Sequence, residues 1–299
     1  MEENNDKNKT CSVLSSTYNG RPYFINADGQ HVVTKCWEVQ GGDKVIRAIL
    51  LICHDVAEHC LRYEAFAEEI VHRRIQVYSH DHVGHGGSEG VAVDILDFKT
   101  YVRDTLQHID IIRQIHSYAK IFILGHGMGG TIAIKAVLSR PKEFAGCVLI
   151  GPAITPTPDQ ASAFSQFIDK TAASFAPLFG VTKIDPDSLS SHPKEIVDYI
   201  QDPLVYHGRL RARHCVIFME AMEELERKIY SIDWPFFVLH GERDKRCSLE
   251  GSKLLFEKAS SMDKKFKIYP DQRHSLHHEA PEKAEVVKGD IVAWLVKRI

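Results

Sequence analysis

From Ile121 to Thr131 the chain reads IFILGHGMGGT, and no other stretch constrains the fold as strongly. Its first four residues are apolar, as in a strand buried on both faces of a sheet. A glycine-rich hinge follows, and then a helical pattern that stops before Pro141. Strand, sharp turn and helix in this order form the setting of a Gly-x-Ser-x-Gly elbow, where a serine stands at the tip of a strained turn and glycines stand where the chain passes too close for a side chain. Gly125 and Gly129 supply that frame. The middle position is Gly127, so the hydroxyl that such a turn presents is missing.

The remaining chain builds a sheet around this unit. YFINADGQHVVTKCWEV alternates apolar and polar residues about Ala27-Asp28-Gly29, which predicts an antiparallel hairpin. Ala48 to Cys53 and Ile75 to Tyr78 are short buried strands, Tyr63 to Arg73 is a helix, and Phe98, Val102, Leu106, Ile109 and Ile112 recur at helical spacing. With a strand from Cys147 to Ile150, the βαβ alternation implies a mostly parallel central sheet flanked by helices. The alternation stops between about Gly151 and Asp233. It resumes with Phe236 to His240, a helix around Leu254, the strand KKFKIYP and a closing helix. These patterns divide the chain into a flexible lead-in (1–20), an α/β core (21–151 and 233–299) and an inserted helical cap (152–232). Within the cap, Phe164, Phe167, Ile168, Phe175 and Leu178 form an aromatic-rich stripe that serves either as core or as a lipid-facing patch.

Composition removes several function classes. The chain has 299 residues, 44% of them hydrophobic, and a formal net charge of −3 with both signs mixed along it, so there is no basic field for nucleic acid. Seven scattered cysteines without a Cys-x-x-Cys pair read as reduced thiols, with neither a disulfide framework nor a zinc site. The polar start is unlike a signal peptide, and no apolar run reaches the roughly 20 residues needed to span a bilayer. A cytoplasmic location with at most peripheral membrane contact is the expectation.

Chemistry is expected at the carboxyl ends of the strands. Asp244 follows the strand Phe236 to His240, and His274 follows Lys264 to Tyr269. Together with the elbow they stand in the chain order of nucleophile, acid and base, in the roles of orienter and general base. An oxyanion hole would use the N–H of the residue after the elbow centre, Met128, and one from the loop that begins His54-Asp55-Val56. His80-Asp81-His82 with His85 could suggest a metal site. His126 reads as part of the site wall.

Over nearly all of the chain after about residue 20 the sequence resembles the monoacylglycerol lipases, a family of α/β-hydrolases. The resemblance is carried by HDHVGHGGSEG at His80 to Gly90, GHxMGG at Gly125 to Gly130, the pairs Glu58-His59 and Arg62-Tyr63, and Asp202-Pro203-Leu204. It implies an α/β-hydrolase fold with a mobile, membrane-touching cap over an acyl-chain tunnel, and hydrolysis of monoacylglycerol to fatty acid and glycerol without cofactor or metal. Position by position, it implies Asp244 and His274 as acid and base, and Val56 and Met128 as oxyanion donors. Glu58, Arg62, Tyr199 and His277, with His126, fall near the glycerol head, and Cys247 falls near the site. For the loop of His80-Asp81-His82 and His85 the resemblance implies a part in shaping the fold instead of a metal site.

Two positions depart from the family: Gly127 stands where it has serine, and Asp55 where it has glycine. Loss of the nucleophile is expected to cost on the order of 10⁶ in turnover. A carboxylate at Asp55 would oppose negative charge on the substrate and strain a backbone angle that glycine permitted. The chain is therefore expected to bind monoacylglycerol-like lipid and to hydrolyse it poorly or not at all, as a pseudoenzyme on a serine-hydrolase scaffold. Three alternatives stay open: an engineered knockout of an active lipase, a His274/Asp244 general-base enzyme, and a non-catalytic protein-interaction module.

Overall fold

The computed structural model describes residues 16–40, 45–167 and 176–299. Among these, nine strands form one sheet in the order β1-β2-β3-β5-β4-β6-β7-β10-β11. Three of them, β1 (Thr17–Tyr18), β2 (Arg21–Ile25) and β3 (His31–Trp37), lead in antiparallel, and β3 pairs antiparallel with β5 (Ile75–His80). From β5 onward, through β4 (Ala48–Cys53), β6 (Lys120–His126), β7 (Gly146–Ile150), β10 (Phe236–Gly241) and β11 (Lys264–Tyr269), every pairing is parallel. This is the α/β-hydrolase fold.

Burial explains the order. Every residue of β4 is buried, and its side chains divide by parity between two cores. Ile49 and Leu51 meet α2 (Lys99–Ile115) and α3 (Met128–Ser139) through Ile109, Ile112, Ile132 and Val137. Leu50 and Ile52 face the opposite side, where α1 (Glu64–Val71) and the last helix, Pro281–Val296, contribute Phe66, Ile70, Ile291 and Trp294. Helices thus cover both faces, as a parallel sheet requires. Gly129 lets α3 sit directly on β4, since a Cβ there would come within 2.1 Å of the Cys53 carbonyl oxygen.

Several expectations need correction. The lead-in ends before residue 20, because Thr17 and Tyr18 already pair with Pro22 and Arg21. The segment between β7 and β10 is not purely helical: besides the helices Pro158–Phe167, Pro193–Gln201 and Ala212–Glu226 it contains an antiparallel pair, β8 (Gly180–Lys183) with β9 (Arg209–Arg211). Strands this short carry too little alternation to be read from sequence. The stripe positions Ile168 and Phe175 lie outside the described residues, as do the side chains of Phe164 and Phe167, whereas Leu178 is half exposed. Cys53, Cys60, Cys147, Cys215 and Cys247 are free thiols, but Cys36 is disulfide-bonded, which cysteine spacing did not reveal. Among the described residues no helix is long and apolar enough to cross a membrane, and no group of three or more His, Cys, Asp and Glu side chains is arranged to hold a metal ion.

Candidate active site

Four strand ends meet at one point. At the tip of β6, Gly127 adopts φ +53° and ψ −118°, a conformation that L side chains rarely hold, and α3 starts at the next residue. β10 delivers Asp244 and β11 delivers His274, whose Nδ1–H donates to Asp244 Oδ2 at 2.8 Å. Asp244 is pinned further by the Arg246 and Cys247 N–H groups on Oδ1, at 2.7 and 3.0 Å. Burial alone would raise its pKa, but the charge of His274 and the hydrogen bonds from His240 and His274 hold it below the carboxylate range. Asp244 and His274 therefore stand in the orienting geometry of a hydrolase triad.

β4 delivers Asp55, and its carboxylate fills the centre of the site. Oδ1 accepts the Met128 N–H at 2.7 Å, and Oδ2 lies 3.1 Å from His274 Nε2 and 3.6 Å from an Arg246 nitrogen. The expected oxyanion donor Met128 is thus already engaged by a side chain of the protein. The backbone strain expected at Asp55 is not there. Positive φ falls two residues later, at Ala57 (φ 66°). Burial disfavours the charged form of His274, yet the two flanking carboxylates outweigh it and raise its pKa to about 9. The same contacts keep Asp55 ionised, well below its ordinary value against the cost of burial. At neutral pH the centre is carboxylate, imidazolium, carboxylate.

Behind it lies a second polar cluster. Glu58 Oε1 accepts the Asp55 N–H at 2.9 Å and the Tyr63 hydroxyl at 2.5 Å, while His126 Nδ1–H is directed at the Tyr63 oxygen, 2.9 Å away. Arg62 pairs with Glu58 at 3.4 Å and lies 5.1 Å from the ring of Tyr199. His277 stacks on Tyr63, and His126 stacks on His274 with ring centroids 4.5 Å apart. Glu58, Arg62, His126, Tyr199 and His277 therefore gather beside the site, but they do not line its cavity. That cavity, about 300 Å³, opens from Asp55, Val56 and Met128 between Ala153, Phe218, Met222 and Cys247. Cys247 lies at the site as expected but is buried, and burial beside Asp244 and Asp55 pushes its thiol well up.

Two wall residues were missed from sequence. Arg246, two positions after Asp244, brings a largely buried guanidinium nitrogen to 3.6 Å from Asp55. His214 comes from the helix Ala212–Glu226, and its only sequence signal was its place on an apolar helical face. The histidines of HDHVGH pack against each other, with ring centroids 5.1 Å apart for His80 and His82 and 6.2 Å for His82 and His85, and the backbone N–H of His82 donates to His54 Nε2 at 2.9 Å.

Known proteins agree with this architecture. Residues 44–281 match the family model described as "Serine aminopeptidase, S33". Human monoglyceride lipase is 36% identical over 284 residues, which cover 95% of this chain and 93% of that protein. The monoacylglycerol lipase of Mycolicibacterium smegmatis is 29% identical over 276 residues, covering 92% of this chain and 96% of that protein. Among solved structures, the Paleococcus ferrophilus monoacylglycerol lipase superposes with a TM-score of 0.78 at 26% identity, over 90% of this chain and 99% of that one. The soluble variant of the Saccharomyces cerevisiae monoglyceride lipase, solved with a substrate analogue, gives 0.84 at 23% identity over 95% and 97%. By matched length and identity, the chain belongs to the monoglyceride lipase family of α/β-hydrolases.

Proposed function

We propose that this protein binds a monoacylglycerol-like acyl lipid in the cavity beside Asp55 and does not hydrolyse its ester at lipase rates. One observation carries the second half: a carboxylate stands where acyl transfer needs both a hydroxyl and an empty oxyanion hole. Asp55 Oδ1 already accepts the Met128 N–H. A developing oxyanion would compete with it for the donor and meet its negative charge. The first half is supported by the largely apolar walls of the 300 Å³ cavity and by the names of the relatives.

The segment 152–232 acts in this reading as a cap over the cavity. Leu178, Phe179, Val197 and Ile200 are exposed on it, which suits peripheral docking on a lipid surface. A general-base mechanism is less well supported, because His274 is held protonated by its two carboxylate partners and has no lone pair to offer. The mutual fit of Asp55 and Gly127 argues against a nucleophile removed by a single engineered change.

The test assays the purified chain, Gly127→Ser and Gly127→Ser with Asp55→Gly against a long-chain monoacylglycerol, and measures binding of a non-hydrolysable monoalkylglycerol ether to each. Hydrolysis is expected in the double variant alone, with ether binding by the unmodified chain. Lipase-like turnover by the unmodified chain that vanishes in His274→Ala would overturn the reading.

A further inference from the structure

The carboxylate that blocks acyl transfer is itself well placed to react. Three features of Asp55 match what a carboxylate nucleophile needs. Its Oδ1 is held by the Met128 N–H, so an ester formed on Oδ2 would have its carbonyl oxygen already in an oxyanion site. Its Oδ2 lies 3.1 Å from His274 Nε2, whose other nitrogen is fixed by Asp244. The residue also lines the cavity, which carries an independent sign of a ligand. His214 is 1% exposed and lines the same cavity, and neither of its ring nitrogens has a hydrogen-bond partner. A buried imidazole with nothing to bind is costly unless a ligand supplies the partner.

We propose that Asp55 is a catalytic nucleophile toward the saturated carbon of an epoxide on an apolar chain, with His274 as proton donor and then base, and His214 as hydrogen-bond donor to the ring oxygen. This goes beyond lipid binding and shares with it only the cavity. Esters are the wrong electrophile for this group. Attack on an acyl carbon must expel an alkoxide, a far stronger base than carboxylate, so the adduct collapses back. Attack on an epoxide relieves ring strain and leaves a stable ester.

The steps balance. Asp55 Oδ2 forms a bond to one ring carbon while that carbon's bond to the ring oxygen breaks, and the alkoxide takes the proton from His274 Nε2. Asp55 is then a neutral 2-hydroxyalkyl ester. His274 has given up its Nε2 proton, and with one of the two charges beside it gone while Asp244 still fixes Nδ1, that nitrogen now has a lone pair and acts as a base. His274 next takes a proton from water, and the hydroxide adds to Asp55 Cγ with negative charge on Oδ1 facing the Met128 N–H. The Cγ–Oδ2 ester bond breaks, and the departing alkoxide takes the proton of the new Cγ hydroxyl. Epoxide plus water has become a 1,2-diol, with Asp55 carboxylate and His274 imidazolium restored.

The experiment uses the full chain, a medium-length 1,2-epoxyalkane and ¹⁸O-water. In a single turnover, the label is expected in the Asp55 carboxylate by peptide mass spectrometry and not in the diol. His274→Gln should accumulate a stoichiometric alkyl adduct on Asp55, and Asp55→Asn should form neither adduct nor diol. His214→Phe should slow adduct formation at least 10-fold. The ¹⁸O measurement on the unmodified chain decides the matter even if a variant misfolds. Label entering the diol directly, or no diol and no adduct from chain that still binds the monoalkylglycerol ether, overturns the proposal. Loss of ether binding with diol formation intact would instead overturn the lipid-binding reading.

Discussion

Asp55 and Gly127 exclude any side chain between them: a Cβ on Gly127 would lie 2.1 Å from Asp55 Oδ1 and 2.3 Å from its Cγ. The two positions singled out in the sequence are thus one unit in structural terms. With Asp55 in this rotamer, only glycine fits the elbow.

Introducing a serine at position 127 alone is therefore expected to destabilise the chain. Gly127→Ser must force an L residue into φ +53° and push the Asp55 carboxylate off the Met128 N–H and His274. Strain of about 1–3 kcal/mol and a similar overpacking cost give an expected loss of about 2–6 kcal/mol. Gly127→Ser with Asp55→Gly should recover most of it. Thermal melts of the three chains check this, and an unchanged melting temperature in the single variant would show that Asp55 swings away freely.

Much of this was legible in the sequence and some of it was not, for physical reasons. β4 and β6 are continuous apolar runs, so their burial follows from composition, and Asp244 and His274 follow from their place after late strands. Asp55 was visible in the sequence as a carboxylate in the loop after β4. Its side chain, however, makes contacts 73 and 219 residues away along the chain, which no local pattern encodes. Arg246 and His214 escaped for the same reason. β8 and β9 escaped because four and three residues show no periodicity.

Asp55→Asn is expected to lower the pKa of His274. The amide keeps an oxygen for the Met128 N–H but removes one of the two charges that hold the imidazolium. An NMR titration of the imidazole should move down from about 9 in the variant. A titration that stays put would mean that Asp244 alone sets the charge state.

Asp81 is expected to matter to stability and not to ligand binding. It is fully buried, and it accepts Arg21 and the Gly87 N–H on Oδ2, each at 2.8 Å, and the Cys60 N–H on Oδ1 at 2.9 Å. Burial would raise its pKa, but the Arg21 guanidinium, His54 and these bonds bring it down to about 2. Asp81→Ala leaves a guanidinium and two amides without their partner, at a cost of about 3–5 kcal/mol. Denaturant melts should show that loss while the folded fraction binds the ether lipid unchanged. A small loss would mean that water replaces the carboxylate.

The pH dependence of stability follows from two sets of groups. His54, His82, His85, His108 and His214 are buried with pKa values depressed below 6.5, so the unfolded chain binds more protons below that pH and stability is lost as pH falls. His274 has the opposite sign. Its folded value of about 9 exceeds its ordinary 6.5, so its contribution is fully present below 6.5 and is lost as pH rises through 9. Above 9.0 the buried thiols of Cys60 and Cys247, pushed well up, add to the loss. Maximum stability is therefore expected near pH 6.5, with a decline between 6.5 and 9 that belongs to His274. Besides Asp244 and Asp55, the titratable groups nearest that imidazole are His126, stacked on it, and His240, on the far side of Asp244. Of these only Asp55 is removable without disturbing the orienting pair. Asp55→Asn should accordingly flatten the limb between 6.5 and 9 while leaving the acid limb in place, as followed by urea unfolding across that range. An unchanged alkaline limb in that variant would assign the decline to another group.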